Sequence, residues 1–319
     1  MANRVGFEAA QQRVRALAYA GLSSVEFRLA VLRELNTVIH VDASFFSTAD
    51  PATLLHTSAV RLDIPDDLGA LFLDNEFRTP DVNKFRCLAA GPDRVATLER
   101  ATHGDWSVSA RSEQIMQPAG LGDELRVAFR TSTTTWGFAC LHREAGAPFG
   151  EDEIAFVAGI APHIGEALRR CVMTERAVRD SAADGPGVVT LAPDLTLVAA
   201  TPSGERWLAD LAAVDHPASR PQPVAVLAVA RALAEVETAG ATPRLTVRAA
   251  SGRWLVLHAA HLTSAQHSQV AVVIEPASRA ELEPMIAAGY ALTAREAETL
   301  TLVLRGLATK TIANQLRVT

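Results

Sequence analysis

Five side chains that one short hairpin would bring together, Phe129, Trp136, Phe138, Cys140 and His142, form the best set in this sequence for handling a small molecule. They lie in 123-DELRVAFRTSTTTWGFACLHREAG-146, where two stretches alternate apolar and polar residues about a TSTT tip, the pattern of an antiparallel hairpin. Successive side chains of a strand point to opposite faces. Alternation therefore puts Trp136, Phe138, Cys140 and His142 on one face and Gly137, Ala139, Leu141 and Arg143 on the other, while Leu125, Val127 and Phe129 share a face of the opposite strand. Turned inward, one face would line an aromatic pocket with a thiol and an imidazole at its edge. The plainer alternative is that the same residues are ordinary core. A redox role for Cys140 requires exposure and a depressed thiol pKa. No spacing supports His142 or His103 as a haem ligand, and His258 and His261 fall on opposite faces of one strand, a poor metal pair.

Catalytic chemistry finds little support. The chain has no P-loop, no GxSxG, no HExxH and no Gly-rich dinucleotide fingerprint. Its acidic clusters, Asp66-Asp67 and Glu151-Asp152-Glu153, stand where helices begin, and carboxylates there interact favourably with the helix dipole. The expectation is a protein that is not an enzyme, and the residues name no cofactor.

The last stretch, 292-LTAREAETLTLVLRGLATKTIANQLRVT-319, is the most informative. Thr293 and Glu296 have the spacing of a capping box, in which hydroxyl and carboxylate each satisfy a free backbone donor at a helix start. Ala297, Leu300, Val303 and Leu304 give that helix an apolar face, and Gly306 ends it by adopting the left-handed conformation cheaply. Thr309 is placed to cap a second helix, in which Ile312, Ala313 and Leu316 share a side. Two short helices about a tight Gly-containing turn predict the start of a helix-turn-helix.

The remaining elements follow from periodicity. Residues 8–39 predict two helices with Ser23 or Ser24 as the cap between them, and residues 43–62 predict two strands about Asp50-Pro51. Short helices are expected near 66–76, 81–89 and 107–117, then the hairpin, then a long helix from Glu151 to about Arg179 that Pro162 should kink or divide. The run 180-DSAADGPG-187 reads as a linker. Beyond it come two strands, a helix over 202–213, a Pro-rich loop, a helix over 224–237, and three further strands ending at 277. A second linker is expected near 278–291. This order predicts an α+β architecture, with no internal sequence repeat.

Three resemblances follow from these residues. Residues 10–175 resemble a GAF domain, through LDNEF (73–77), DVNKF (81–85), LGDELR (121–126) and WGFACLHREAGAPF (136–149). The five strands with helices after the second resemble a PAS domain. LTxRE, RGL, KxIAxxL and the closing V-T resemble the DNA-binding domain of LuxR-type regulators of actinobacterial type. The implied organisation is a GAF-like sensory unit over 1–179, a PAS-like unit over 188–277 and a partial helix-turn-helix over 291–319. In the LuxR-type pattern Thr319 stands at the N-cap of the recognition helix, the element that reads bases. Lys310 and Arg317 are then candidate contacts to the DNA backbone, which position a protein without reading sequence. The resemblance thus implies a ligand-sensing transcriptional regulator, shortened from a longer form or ending early, with sequence-specific DNA binding reserved for a full-length form. The alternative is a ligand-binding or dimerisation module that modulates a full-length partner without touching DNA. A homodimer is expected, because LuxR-type operators are usually two-fold, with its surface on the helices at 8–39 and 151–179; Leu29 and Ile164 are its predicted contacts.

Composition bounds these readings. The chain has 319 residues, 49% of them hydrophobic, enough for two or three domains with buried cores. Three widely spaced cysteines, Cys87, Cys140 and Cys171, form no disulfide framework, and the N-terminus lacks an export signal. A cytoplasmic protein with a small-molecule effector and no membrane partner is expected. Of the net charge of −6, residues 292–319 carry +2 and the preceding 291 carry −8, an acidic body with a small basic terminus.

Overall fold

The computed structural model describes residues 2–66, 68–132, 134–144, 146, 148–174, 185–216, 222–236, 242–263 and 268–316. Two antiparallel five-stranded sheets organise them, so the architecture is α+β as expected.

The first unit opens with α1 (Ala2–Leu17) and α2 (Ser24–Asn36). Ser23 is the cap of α2: its hydroxyl accepts from the Glu26 amide at 3.3 Å while the Ser23 amide donates to the Glu26 carboxylate at 2.9 Å. Strands β1 (Ala43–Ala49) and β2 (His56–Leu62) follow, then α3 (Leu68–Arg78), α4 (Phe85–Ala90), β3 (Val95–Thr97) and α5 (Leu98–Thr102). The predicted hairpin is β4 (Leu121–Arg130) and β5 (Thr135–Glu144), followed by α6 (Glu151–Thr174). The strand order is β2-β1-β5-β4-β3. Helices α1, α2 and α6 cover one face, burying Phe7, Val14, Phe27, Val31, Ile160 and Ile164 against Phe46, Val127, Phe129 and Ala139 of the sheet. Shorter elements, α3, α4 and an irregular stretch over 106–119, cover the other.

Three expectations need correction here, and one strand is added. Helix α6 is not divided at Pro162, because tertiary packing of its apolar stripe holds both halves on one sheet face. Residues 107–117 form no regular α-helix: after a tight turn at 106–108, a helical stretch opens at 110–111, widens to a π-helix at 112–116 and closes in a tight turn at 117–119 that contains Pro118. Strand β3, three residues long, was too short to show a period of two. Ile164 is 1% exposed inside the core, so it cannot serve as a dimer contact in this fold, and Leu29 is half-buried against the same core.

Helix α6 approaches the sheet very closely. A Cβ on Gly137 would lie 2.7 Å from Cδ1 of Leu168 and would also collide with the carbonyl oxygen of Ser47. Gly137→Ala is therefore expected to destabilise the chain by about 1–3 kcal/mol through overpacking. A urea midpoint unchanged from that of the parent would contradict this packing.

The second unit contains β6 (Gly187–Leu191), β7 (Leu197–Ala200), α7 (Pro202–Ala212), α8 (Val224–Arg231), α9 (Leu233–Val236), β8 (Arg244–Arg248), β9 (Trp254–Thr263) and β10 (Ser268–Pro276). Its sheet order is β7-β6-β10-β9-β8. Counted within each unit, both sheets run second, first, fifth, fourth, third, a shared topology with no matching sequence repeat. Helix α8, AVLAVA in its middle, is buried on every side because it lies between the second sheet and the first unit.

The two units are stitched at backbone level. His216 bridges Val60 of β2 in parallel fashion, its amide donating to Ala59 O at 2.8 Å and its carbonyl accepting from Arg61 N at 2.8 Å. Each unit also inserts a buried carboxylate into the other. Asp215 accepts from the Ala59 amide at 2.7 Å, and Asp50 accepts from the Thr246 amide of β8 at 2.8 Å. Arg28, fully buried, donates to the carbonyls of Phe46 and Ser58, both at 3.1 Å.

The C-terminal segments differ from expectation in three places. Residues 278–291 are no free linker: α10 (Glu283–Gly289) returns to the first unit, where Met285 joins the core and Arg169 donates to Gly289 O. Then come α11 (Ala294–Leu304) and α12 (Thr309–Leu316). The Thr293–Glu296 capping box is formed and Gly306 takes φ +77°, as expected. The inward residue of α11 is Leu302, packed on Ile312 and Leu316, whereas Val303 is 53% exposed. Helix α12 starts at Thr309 itself, which places that residue inside the first turn rather than before it. Residues 175–184, which hold the predicted end of the long helix and most of the first predicted linker, and Arg317 and Thr319 lie outside the described residues, and Gly187 already opens β6. Among the described residues no helix is long and apolar enough to cross a membrane.

Candidate functional site: a cavity shared by the two units

Cross-strand register divides the predicted set of five. Phe129 pairs with Gly137 and Cys140 with Arg126, so Phe129 belongs to the opposite face from Phe138, Cys140 and His142. Trp136 also leaves the set. A β-bulge between Phe129 and Arg130 breaks strict alternation beside it, and its fully buried indole packs in the helix-side core. Phe138 and Cys140 pack with Phe45 and Phe85 on the other face, and His142 alone of the five lines a cavity.

That cavity, of about 70 Å³, lies where the sheet face, α3 and the irregular stretch 106–119 meet the second unit. Phe45, Phe72, Ile115 and Met116 from the first unit face Val224 and Leu227 of α8 across it. Its polar boundary consists of His142, Arg111, Arg61, Asp215 and Gln222.

Beneath the cavity floor is a buried network that joins the three short runs on which the GAF resemblance rests. Both Arg111 and Arg126 hold Glu124, at 2.7 and 3.0 Å. Arg126 also donates to Glu76 at 2.7 Å, and Glu76 accepts from the Phe85 amide at 2.8 Å. Asp81 accepts from Asn75 Nδ2 and from the Arg111 amide, both at 2.7 Å. LDNEF supplies Asn75 and Glu76, DVNKF supplies Asp81 and Phe85, and LGDELR supplies Glu124 and Arg126. The Arg126 guanidinium lies 4.5 Å from the Phe85 ring centre and 5.4 Å from that of Phe72, a cation held between aromatic faces.

Electrostatics follows from this arrangement. Burial pushes the Glu124 carboxyl up, but Arg111 and Arg126 beside it prevail and hold it well below the usual carboxylate range. Burial drives His142 down to about 4, so its imidazole is neutral at pH 7. His56 behaves likewise, brought down to about 4 by burial in a box of phenylalanines, with Phe45 and Phe85 ring centres at 5.3 and 5.7 Å. Asp215 is raised to about 6 by burial, against the two amides it accepts from. The Cys140 thiol is also pushed up by burial and is fully enclosed, the reverse of what a redox sensor requires.

Glu124, Cys140 and His142 offer ligand atoms within 4.8 Å of one another, so a metal deserves a test. The donor set does not fit one. Both Glu124 oxygens already accept from guanidinium groups, and a cation would sit beside two positive charges with a protonated thiol for company.

Several functional positions escaped the sequence reading. Glu124 and Arg126 were findable, since alternation puts both on the Cys140 face, where paired inward charges signal a network. Arg111 sits in an irregular segment with no period. Asp215, Val224 and Leu227 belong to the other unit. Of the candidate DNA contacts, Lys310 is exposed in the first turn of α12.

No protein-family model and no curated protein matches this sequence. Among solved structures, the chain is similar to the GAF domain of an Acinetobacter phosphoenolpyruvate-protein phosphotransferase at 10% identity, covering 53% of this chain and 95% of that one, with a TM-score of 0.38. It is similar to a GAF domain/HD domain protein from Geobacter sulfurreducens at 13% identity, covering 49% and 100%, with a TM-score of 0.37. A segment of PelD from Pseudomonas aeruginosa PAO1 aligns over 96% of this chain and 88% of its own length, at 10% identity and a TM-score of 0.36.

Proposed function

We propose that the chain is the sensory body of a cytoplasmic, ligand-responsive transcriptional regulator, its first unit GAF-like and its second PAS-like. The observation that carries this reading is the cavity enclosed jointly by β5, α3, the 106–119 stretch and α8. A ligand seated there touches both units at once, so occupancy changes how they are held together. The segment α10 to α12 is linked to the same body, because Met285 packs in the first core and Thr301 of α11 donates to Glu283 of α10. In this proposal α11 and α12 belong to a LuxR-type DNA-binding element, Lys310 and Arg317 lie against phosphate, and the active form is a homodimer.

Two measurements test it. Native mass spectrometry of the chain mixed with host-cell extract is expected to show a non-covalently retained small molecule. A gel-shift with the regulator is expected to show a sequence-dependent complex that survives raised salt. Absence of both would remove the reading.

A further inference from the structure

The chemistry of the cavity wall selects its occupant, and that selection rests on the cavity being the sensor site. We propose that the occupant is a small uncharged molecule, of the size of one six-membered ring, carrying a single hydroxyl or carbonyl group that hydrogen-bonds to Nδ1 of His142.

Three observations lead there. Most of the wall is apolar, built by Phe45, Ile64, Phe72, Ile115, Val224 and Leu227. At about 70 Å³ the enclosed space suits about five waters at roughly 10–15 Å³ each and is smaller than the roughly 150 Å³ of a cavity that holds benzene, so a ring with one substituent must extend into the open side of the cavity.

Of the three charged groups at the boundary, Arg111 and Asp215 are already engaged, and Arg61 is paired through Nη1 alone. Arg111 donates from Nε to Glu124 at 3.0 Å, from Nη1 to Asn75 at 3.2 Å, and from Nη2 to Glu124 at 2.7 Å and Val82 O at 3.4 Å. Asp215 accepts on both oxygens from backbone amides, at 2.7 Å from Ala59 and 2.9 Å from Val224. Arg61 is paired with Asp66 at 2.9 Å. A charged ligand would therefore gain no counter-charge from Arg111 or Asp215 and would have to compete with Asp66 for Arg61, which an apolar site disfavours.

Besides the half-buried Gln222 amide, one buried polar atom remains. Among the described residues that line the cavity, Nδ1 of His142 is the buried side-chain nitrogen with no hydrogen-bond partner, and the residue is 5% exposed. Its other ring nitrogen faces the Glu124 carboxylate at 4.0 Å. A neutral imidazole can either donate or accept at Nδ1 according to tautomer, so a hydroxyl or a carbonyl both satisfy it.

The test uses three probes of one size on the whole chain: benzene, phenol and benzoate, titrated by calorimetry. Phenol is expected to bind about tenfold more tightly than benzene, the worth of one satisfied buried hydrogen bond, and at least tenfold more tightly than benzoate. The imidazole nitrogen resonances of His142 should move with phenol and hardly with benzene. In His142→Leu the preference of phenol over benzene is expected to vanish while benzene binding persists; in His142→Asn, which keeps a polar group there, part of the preference returns. Benzoate binding most tightly, or phenol and benzene binding equally to the unaltered chain, overturns the ligand class while leaving a sensor cavity in place. Binding of none of the three at millimolar concentration overturns the sensor cavity as well. The ranking on the unaltered chain decides the matter even if a His142 variant fails to fold.

Discussion

Arg126→Met is expected to lower the free energy of unfolding by about 3–5 kcal/mol. The side chain is fully buried, with Glu124 at 3.0 Å and Glu76 at 2.7 Å. Methionine would fill the volume between Phe72 and Phe85 and preserve most of the apolar packing, yet it leaves Glu76 without its guanidinium partner and Glu124 with Arg111 alone. The loss comes from stranded carboxylates, because removing one partner of a buried pair exposes the full desolvation penalty of the other. Urea denaturation near pH 7 should show a lower midpoint at unchanged slope. A loss below about 1 kcal/mol would mean that water reaches the network in solution and that the side chains are not buried there. The double variant Glu76→Gln with Arg126→Met should recover part of the loss, since the two sites share one interaction and cannot be additive.

A second large effect is expected on acidification. His56 and His142 have folded pKa values near 4 against 6.5 when exposed. Between those limits the unfolded chain binds protons that the folded chain refuses. Their contribution is complete above pH 6.5 and is lost as pH falls towards 4, about 3 kcal/mol for each. Asp215 acts in the opposite sense. Raised to about 6 from 3.8, it keeps its proton in the folded state where the unfolded chain has released it, so its contribution is complete below 3.8 and fades as pH rises through about 6. Asp50 and Asp123, also raised by burial, share that sign. Two histidines outweigh Asp215, and stability should fall by a few kcal/mol from about pH 7 to about pH 4.5. His56→Leu is expected to flatten the dependence and Asp215→Asn to steepen it. A midpoint that rises on acidification would show that the imidazoles are wet.

Much of the fold was legible from period alone. Strands β1, β2, β4 and β5 and all five strands of the second sheet lie where alternation predicted, since each is long enough, or bounded sharply enough by turns, to show it. The capping box at Thr293 was readable, because its partners are three residues apart, whereas the cap of α2 was narrowed only to Ser23 or Ser24. The site was legible only in part. Alternation correctly grouped Phe138, Cys140 and His142, but it cannot see a bulge, and so Trp136 was assigned to the wrong side. Phe129 was grouped with them although its strand partner is Gly137, a register that turn type decides and composition does not. Arg111 was invisible because a π turn flanked by two tight turns has no repeating period. Part of the cavity wall comes from Val224 and Leu227, and nothing in a linear pattern says which surface a helix will meet. The all-apolar middle of α8 was the one available hint that it would be covered on every side.

The pairing of His216 with β2 also bears on solubility. A bare outer strand offers a row of unsatisfied amides and carbonyls to any passing extended peptide, the usual seed of runaway polymerisation. Here the chain occupies part of that border with its own backbone, through Ala59 and Arg61. Prising the halves apart would unmask a sticky rim, so a mutation that weakens their junction should reveal itself first as turbidity.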